Sequence, residues 1–294
     1  MLPRHPPPFD AYVAPARRRP QLWRLGVGIA LIVAVNFALS AVVFVGLAQT
    51  RWGAGLQEEV LGETPAVMVF LLFSFLGLAG GSWAAARLLH GRGLRSLIGH
   101  GPTALRHFVA GAGVVGLVHL GALAIVGPGL DLERALAPGL WLMWLPLALL
   151  GLAVQTGAEE LAFRGYLQQQ LAARFASPLV WAGLPSVLFG LLHYDPGTMG
   201  ANVWLVVGLT GVFGLMAADL TARSGTLGLA WGLHFANNFV ALLVISPGGE
   251  LSGLALFSTP FGPDDTGVMR WLLLGDLLLI GAIWLGCRRV LRRG

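Results

Sequence analysis

The sequence predicts an all-α protein, a polytopic bundle of about eight transmembrane helices. Of its 294 residues, 56% are hydrophobic and 11% are charged, whereas a soluble domain carries roughly a quarter charged residues. The apolar residues occur in repeated runs of about 20, the length that crosses about 30 Å of hydrocarbon. All nineteen basic residues are arginines, and most of them stand in short loops and at the chain ends. Most of the apolar surface is therefore expected to face membrane lipid.

Eight apolar segments are candidate spans, at about 22–49, 65–89, 106–127, 139–172, 179–194, 203–220, 226–245 and 270–287. Residues 1–21 are rich in Pro and Arg with no hydrophobic period, which predicts a flexible cytoplasmic tail before a single transmembrane helical domain at 22–294. The segment 139–172 is too long for one simple crossing. We expect Pro146 to separate an outer piece, lying at the membrane interface, from the true transmembrane span beyond it. Glu159 and Glu160 would then lie toward the middle of that span, within the bilayer.

The charges predict an orientation. With an even number of spans and the N-terminus inside, the outside loops hold nine of the fourteen acidic residues and few of the arginines. This bias favours cytoplasmic N- and C-termini in the cell (inner) membrane. No aromatic-interleaved basic stripe accompanies the arginines, so the sequence argues against a nucleic-acid partner.

The first group of ionisable residues within a span is the run TGAEELAFRGY. Such groups indicate function by default, since a charge in lipid costs several kcal/mol unless paired or hydrated. Glu160 and Arg164 are four residues apart, on one helix face, and can neutralise each other. Glu159 lies about 100° away and stays without a charge partner on its own helix, which suits a general base or acid. The alternative is that both glutamates share Arg164 in a structural ion network.

Two further runs place polar residues at helical spacing. Phe189 and His193 are four apart in PSVLFGLLHYD, and His234 and Asn238 are four apart in GLAWGLHFANNF. Imidazole and amide donors aimed at one point could stabilise an oxyanion. Asn237 is turned about 100° away from that face. The structural alternatives are an interfacial histidine and interhelical hydrogen bonds.

Together and in this order, the patterns EExxxR, FxxxH and HxxxN resemble the three motifs of the CPBP family of intramembrane proteases. That family includes CAAX prenyl endopeptidases and bacteriocin-processing or immunity-associated proteins. All three motifs match without a substitution, and the resemblance covers about residues 139–245. It implies a helix bundle with a polar intramembrane cavity and a peptidase that acts on a protein or peptide substrate.

The resemblance also implies roles. Glu159, assisted by His193, would activate a water for attack on the scissile carbonyl, and His234 and Asn238 would hold the oxyanion. Glu160 and Arg164 would orient the first glutamate, with Phe189 as a supporting residue of the second motif. No cofactor is implied.

Two alternatives to this mechanism stay open. Glu159, His193 and His234 could bind a divalent metal such as zinc, although no HExxH motif is present. The cluster could instead serve binding in a non-proteolytic membrane scaffold, an immunity-type protein or a transporter.

The remaining polar residues within spans are given structural interpretations. They are Asn36, His119, Asp219 and Asp276. Asp276 could pair with Arg270, and Asp219 with Arg223 at helical spacing. Gly77 with Gly81 and Gly228 with Gly232 have the small-xxx-small spacing that lets helix backbones approach closely.

Overall fold

The computed structural model describes residues 5–49, 62–129, 131–249, 251–263 and 265–293. The protein is about 81% helical. Its α-helices are α1 (Pro7–Val13), α2 (Leu22–Ala48), α3 (Pro65–Ser74), α4 (Leu76–His90), α5 (Leu94–Ile98), α6 (Gly101–Val126), α7 (Pro138–Glu160), α8 (Gln169–Arg174), α9 (Leu184–Leu191), α10 (Pro196–Met199), α11 (Val203–Ser224), α12 (Gly228–Phe239) and α13 (Thr266–Arg293).

The predicted helical membrane bundle is confirmed. Within the described residues, six helical segments are long and apolar enough to cross a membrane. The two other apolar helices, Leu179–Leu191 and Gly228–Val244, are shorter. The second motif begins at Phe189 on the first of them and ends at His193, two residues after it, and the third motif lies within the second.

The first motif lies in a long helical segment, Pro138–Arg174, of 37 residues. The prediction that Pro146 divides this segment is wrong, because α7 runs through it without a break. Proline removes one backbone hydrogen bond, a loss that packed membrane helices tolerate. After Glu160 the chain continues as the π-helical turns Leu161–Gln168 and then α8. Glu159 and Glu160 therefore lie near the middle of the segment, as expected, although the chain reaches that position without a proline break.

The N-terminal segment differs from the predicted flexible tail wherever the structure describes it, from residue 5 onward. Helix α1 and the 3-10 helix Ala14–Arg18 bury Phe9, Tyr12, Val13 and Ala16. The ring centroids of Phe9 and Trp181 are 4.7 Å apart, and the Tyr12 hydroxyl donates to the Leu97 carbonyl. The four buried residues have the i, i+3, i+4, i+7 spacing of a helix face, a pattern hidden by the surrounding prolines and arginines.

Glycines set the distance between two pairs of helices. A Cβ at Gly228 or Gly232 of α12 would lie 1.9 or 2.0 Å from a carbonyl oxygen of α6. A Cβ at Gly77 or Gly81 of α4 would lie within 3 Å of the α2 backbone. The predicted packing role of both glycine pairs is confirmed, and the first pair fixes the helix that carries the third motif.

Opposite ends of the bundle have different structures. At one end α1, α5, α8 and the end of α11 meet, and the Gly99 and Gly225 backbones come into contact. At the other end lies a three-stranded sheet of β1 (Glu133–Arg134), β2 (Ile245–Pro247) and β3 (Phe257–Thr259). Its order is β1-β3-β2, with β1 antiparallel and β2 parallel to β3.

Candidate active site

The buried ion pair of the first motif lies where α7 passes into the π-helical turns. Nη1 of Arg164 lies 3.0 Å from Oε1 of Glu160, and both side chains are almost completely buried. Nη2 of Arg164 donates to the Gly214 carbonyl at 3.4 Å, and the guanidinium stacks 4.7 Å above the Phe189 ring. These contacts fix Arg164 in one orientation, so the carboxylate of Glu160 is fixed as well.

His234 of α12 joins both glutamates. Its Nδ1 lies 2.9 Å from Oε1 of Glu160, and its Nε2 lies 3.5 Å from Oε2 of Glu159. Rings of Phe189 and Phe213 pack edge-on against the imidazole. The structural alternative in which both glutamates share Arg164 does not describe this arrangement, because among the described residues Arg164 pairs with Glu160.

Glu159 is the glutamate that faces open space. Its side chain is 12% exposed, and its buried Oε2 atom, 3.5 Å from Nε2 of His234, makes no hydrogen bond with the described residues. Glu159 lines two adjoining cavities. A buried carboxylate oxygen without a partner is available to bind a water or a substrate group that enters the cavity.

His193 follows the end of α9 and borders both of the cavities that Glu159 lines. Its Nδ1 lies 2.8 Å from the Phe189 carbonyl oxygen. A carbonyl can only accept, so Nδ1 carries a hydrogen and donates it, which leaves Nε2 for another partner. Phe189 packs against the same imidazole, with ring centroids 5.0 Å apart. The second motif thus places an imidazole at the same two cavities as Glu159.

Asn238 donates its amide to Oε1 of Gln155 at 3.1 Å. Gln155 stands on α7, four residues before Glu159, and the sequence analysis did not identify it. A signal was present, since Gln155 and Glu159 share one helix face. This hydrogen bond orients the Asn238 amide within the cavity.

The four predicted catalytic residues line one polar cavity of about 110 Å³. Its lining residues are Gln155, Glu159, Phe189, His193, Leu209, Thr210, Phe213, His234, Asn237, Asn238, Asp276 and Ile280. A larger cavity of about 710 Å³ adjoins it and is lined mostly by apolar residues of α2, the α3–α4 junction, α7 and its π-helical continuation, and α9. Helices that are distant in sequence therefore form a polar cavity next to an apolar cavity. Glu159 and His193 line both of them.

Two lining residues differ from their predicted positions. Asn237, expected to turn away, borders the polar cavity together with Asn238. Asp276 was expected to pair with Arg270, but the Arg270 Nε donates to Oδ1 of Asn202, and Asp276 borders the cavity. In contrast, the predicted pair of Asp219 and Arg223 is present at 2.8 Å.

No group of three or more His, Cys, Asp and Glu side chains within the described ranges is arranged to hold a metal ion. Two of the side chains that would bind one on the metal hypothesis have protein contacts. His234 contacts both glutamates, and Nδ1 of His193 is hydrogen-bonded to a carbonyl.

The fold and the site define a class of protein: a multi-pass membrane protein whose helices gather carboxylate, imidazole and amide groups around an interior cavity. Residues 137–240 match the model of the family described as type II CAAX prenyl endopeptidase Rce1-like. This segment of the chain is thus similar to the CAAX protease family. The resemblance inferred from the three motifs is confirmed, and all three lie within the matched segment.

Similarity also extends beyond the matched domain. The uncharacterized protein YyaK of Bacillus subtilis (strain 168) is 27% identical to this chain over 260 residues, which cover 83% of this chain and 85% of that protein. The relationship therefore includes spans that carry none of the three motifs. At the level of the family, this similarity supports a CAAX-type intramembrane protease.

Proposed function

We propose that this protein is an intramembrane endopeptidase that hydrolyses a peptide bond with a water activated by Glu159 and His193. The observation that carries the proposal is the convergence of Glu159, His193, His234 and Asn238 on one polar cavity. Oε2 of Glu159, which makes no hydrogen bond within the described part of the chain, supports its role as the general base. The apolar cavity beside it suits the hydrophobic part of a membrane-associated substrate.

In the proposed reaction, a water oxygen attacks the carbonyl carbon of the scissile bond while Glu159 accepts a proton from that water. His193 holds the water through Nε2. The carbonyl oxygen becomes an oxyanion, which His234 and Asn238 stabilise by donating hydrogen bonds. Glu159 then passes its proton to the departing nitrogen as the C–N bond breaks. The products are a carboxylate and a new amino terminus.

The surroundings of His234 bear on its proposed role. Oε1 of Glu160 accepts from Arg164 and lies 2.9 Å from Nδ1 of His234, so in the proposed arrangement Nδ1–H of His234 donates to that oxygen. In the proposed reaction His234 donates to the oxyanion through Nε2, so both of its ring nitrogens act as donors at that step. Glu160 and Arg164 thus support the oxyanion donor through His234, in addition to fixing the helix that carries Glu159.

Glu159→Gln tests the proposal, because it removes the base and keeps the side-chain shape. Membranes from cells that express wild type or Glu159→Gln at matched levels are compared for new peptide termini. We expect termini that occur only with the wild type. Exposed Glu133 offers a matched control, since Glu133→Gln should leave those termini unchanged. Identical profiles for wild type and Glu159→Gln, with both proteins folded, would favour the scaffold alternative.

We also propose that the chain lies in the cell membrane with both termini in the cytoplasm. The bundle end formed by α1, α5, α8 and the end of α11 carries Arg17, Arg95, Arg174 and Arg223, as the positive-inside rule expects of a cytoplasmic surface. Reporter fusions that are active only inside or only outside the cytoplasm, placed after residue 294, test this orientation. Activity of the outside-specific reporter would contradict it.

A further inference from the structure

Asp276 is the one acidic residue of the polar cavity that the proposed mechanism does not use. It lies in the membrane-spanning helix α13 and is half-buried. It borders the same cavity as Glu159, His234 and Asn238. A carboxylate at this depth costs several kcal/mol unless it is paired or hydrated, so its presence calls for a partner.

The described part of the chain does not supply that partner. Asp276 makes no hydrogen bond or ion pair with the described residues. Arg270, on the same helix, is engaged with Asn202, and Arg288 lies beside Asp219 instead. His119 of α6 lies within electrostatic range of Asp276, but its Nδ1 is bonded to the Val115 carbonyl.

The composition of the cavity indicates which partner would fit. Glu159 and Asp276 contribute carboxylates, and no lysine or arginine is among the lining residues. A low-dielectric cavity with two acidic groups attracts a cation. In a peptidase, the cation that a substrate brings into the cavity is a lysine or arginine side chain. This side chain would pair with Asp276 through a charge-assisted hydrogen bond.

We propose that Asp276 is a specificity-determining residue that binds a basic side chain of the peptide substrate close to the scissile bond. This inference rests on the proposed peptidase function. The expected preference is for cleavage beside Lys or Arg. Asp276, on the side of the cavity formed by α11 and α13, would determine this preference. Glu159 keeps its role as base.

The profile of new termini described above provides the first test. Around the termini that depend on wild-type protein, we expect Lys or Arg to be enriched at one fixed position relative to the cut. Asp276→Asn should lose this enrichment, and Asp276→Glu, which keeps the charge, should retain it. Asp219→Asn is the matched control, because Asp219 is another carboxylate within a span but pairs with Arg223 outside the cavity.

A second test uses purified full-length protein and a peptide that carries one of the identified cleavage sites. Replacing its basic residue with norleucine should lower kcat/KM by roughly 10- to 100-fold with the wild type. With Asp276→Asn the same replacement should change kcat/KM less than about threefold, since the partner is already lost. If Asp276→Asn does not fold, the peptide replacement alone still tests the inference on the wild-type protein.

The outcomes separate the two proposals. Termini that are identical for wild type and Glu159→Gln would overturn the peptidase function and this inference together. Wild-type-dependent termini without an enriched basic position would overturn the inference alone. A norleucine replacement that leaves the kcat/KM of the wild type unchanged would also overturn the inference. A replacement that lowers kcat/KM equally for the wild type and for Asp276→Asn would overturn it as well.

Discussion

Oε1 of Glu160 lies 2.9 Å from Nδ1 of His234 and also accepts the 3.0 Å hydrogen bond from Arg164. One buried carboxylate atom therefore joins the first motif, on α7 and its π-helical continuation, to the third motif on α12. Since Nε2 of the same imidazole faces Glu159, a change at Glu160 or Arg164 should reach both the proposed base and the proposed oxyanion donor.

Replacing Glu160 should destabilise the protein strongly. Glu160→Gln leaves the buried guanidinium of Arg164 without its counter-charge, which typically costs about 3–5 kcal/mol. Thermal unfolding in detergent should show a large fall in Tm. Asp219→Asn removes a carboxylate from an ion pair whose partners are 30% and 44% exposed, and such a pair contributes about 0–1 kcal/mol. Equal shifts for the two variants would contradict this account.

The Asn238 amide should act mainly on the chemical step. Asn238→Ala is expected to lower kcat about 10²- to 10³-fold with little change in KM, because an oxyanion donor acts on the transition state. Gln155→Ala should cause a smaller loss of kcat, since it leaves the amide present but unoriented. Steady-state kinetics on a cleavage-site peptide measures both. A wild-type kcat for Asn238→Ala would remove this residue from the mechanism.

The glycine of the α6–α12 contact should tolerate no larger residue. A Cβ at Gly232 would lie 2.0 Å from the Phe108 carbonyl oxygen, so Gly232→Ala must push α12 away from α6 and displace His234. We expect lower Tm and lost activity. Gly116→Ala on α6 is the matched control, because its Cβ would meet nothing within 4 Å. A well-folded, active Gly232→Ala protein would show that the contact can relax.

The N-terminal segment should contribute to stability. Phe9 is fully buried, and Phe→Ala at a packed site typically costs about 3–5 kcal/mol. Phe44 of α2 is 51% exposed toward the lipid side, so Phe44→Ala should change Tm much less. Thermal unfolding of the two variants in detergent measures both changes in Tm. If Phe9→Ala melts like the wild type, the segment does not pack as the structure describes.

Peptidase activity should persist after metal removal. The described residues offer no group of three metal-ligating side chains, and His234 and Nδ1 of His193 already have protein partners. Activity after exhaustive chelation and dialysis should therefore match that of untreated protein. Loss of activity that zinc restores would instead support the metal alternative for Glu159, His193 and His234.

Much of the site follows from local sequence. The pairing of Glu160 with Arg164 and that of Asp219 with Arg223 depend only on the helical repeat, which brings residues four apart to one face. The contact of Phe189 with His193 has the same origin. The apolar segments were also evident, because crossing hydrocarbon requires about 20 apolar residues in succession.

Contacts between distant segments depended on the tertiary structure. Gln155 with Asn238, and Asp276 in the cavity, join helices whose relative rotation no local pattern encodes. Pro146 was expected to break α7, but the helix continues, since packing against its neighbours outweighs one missing hydrogen bond. The sequence by itself determined the membrane helices and which residue types face inward. Only the tertiary structure decided which of them share a cavity, because that depends on how separate helices rotate and pack against one another.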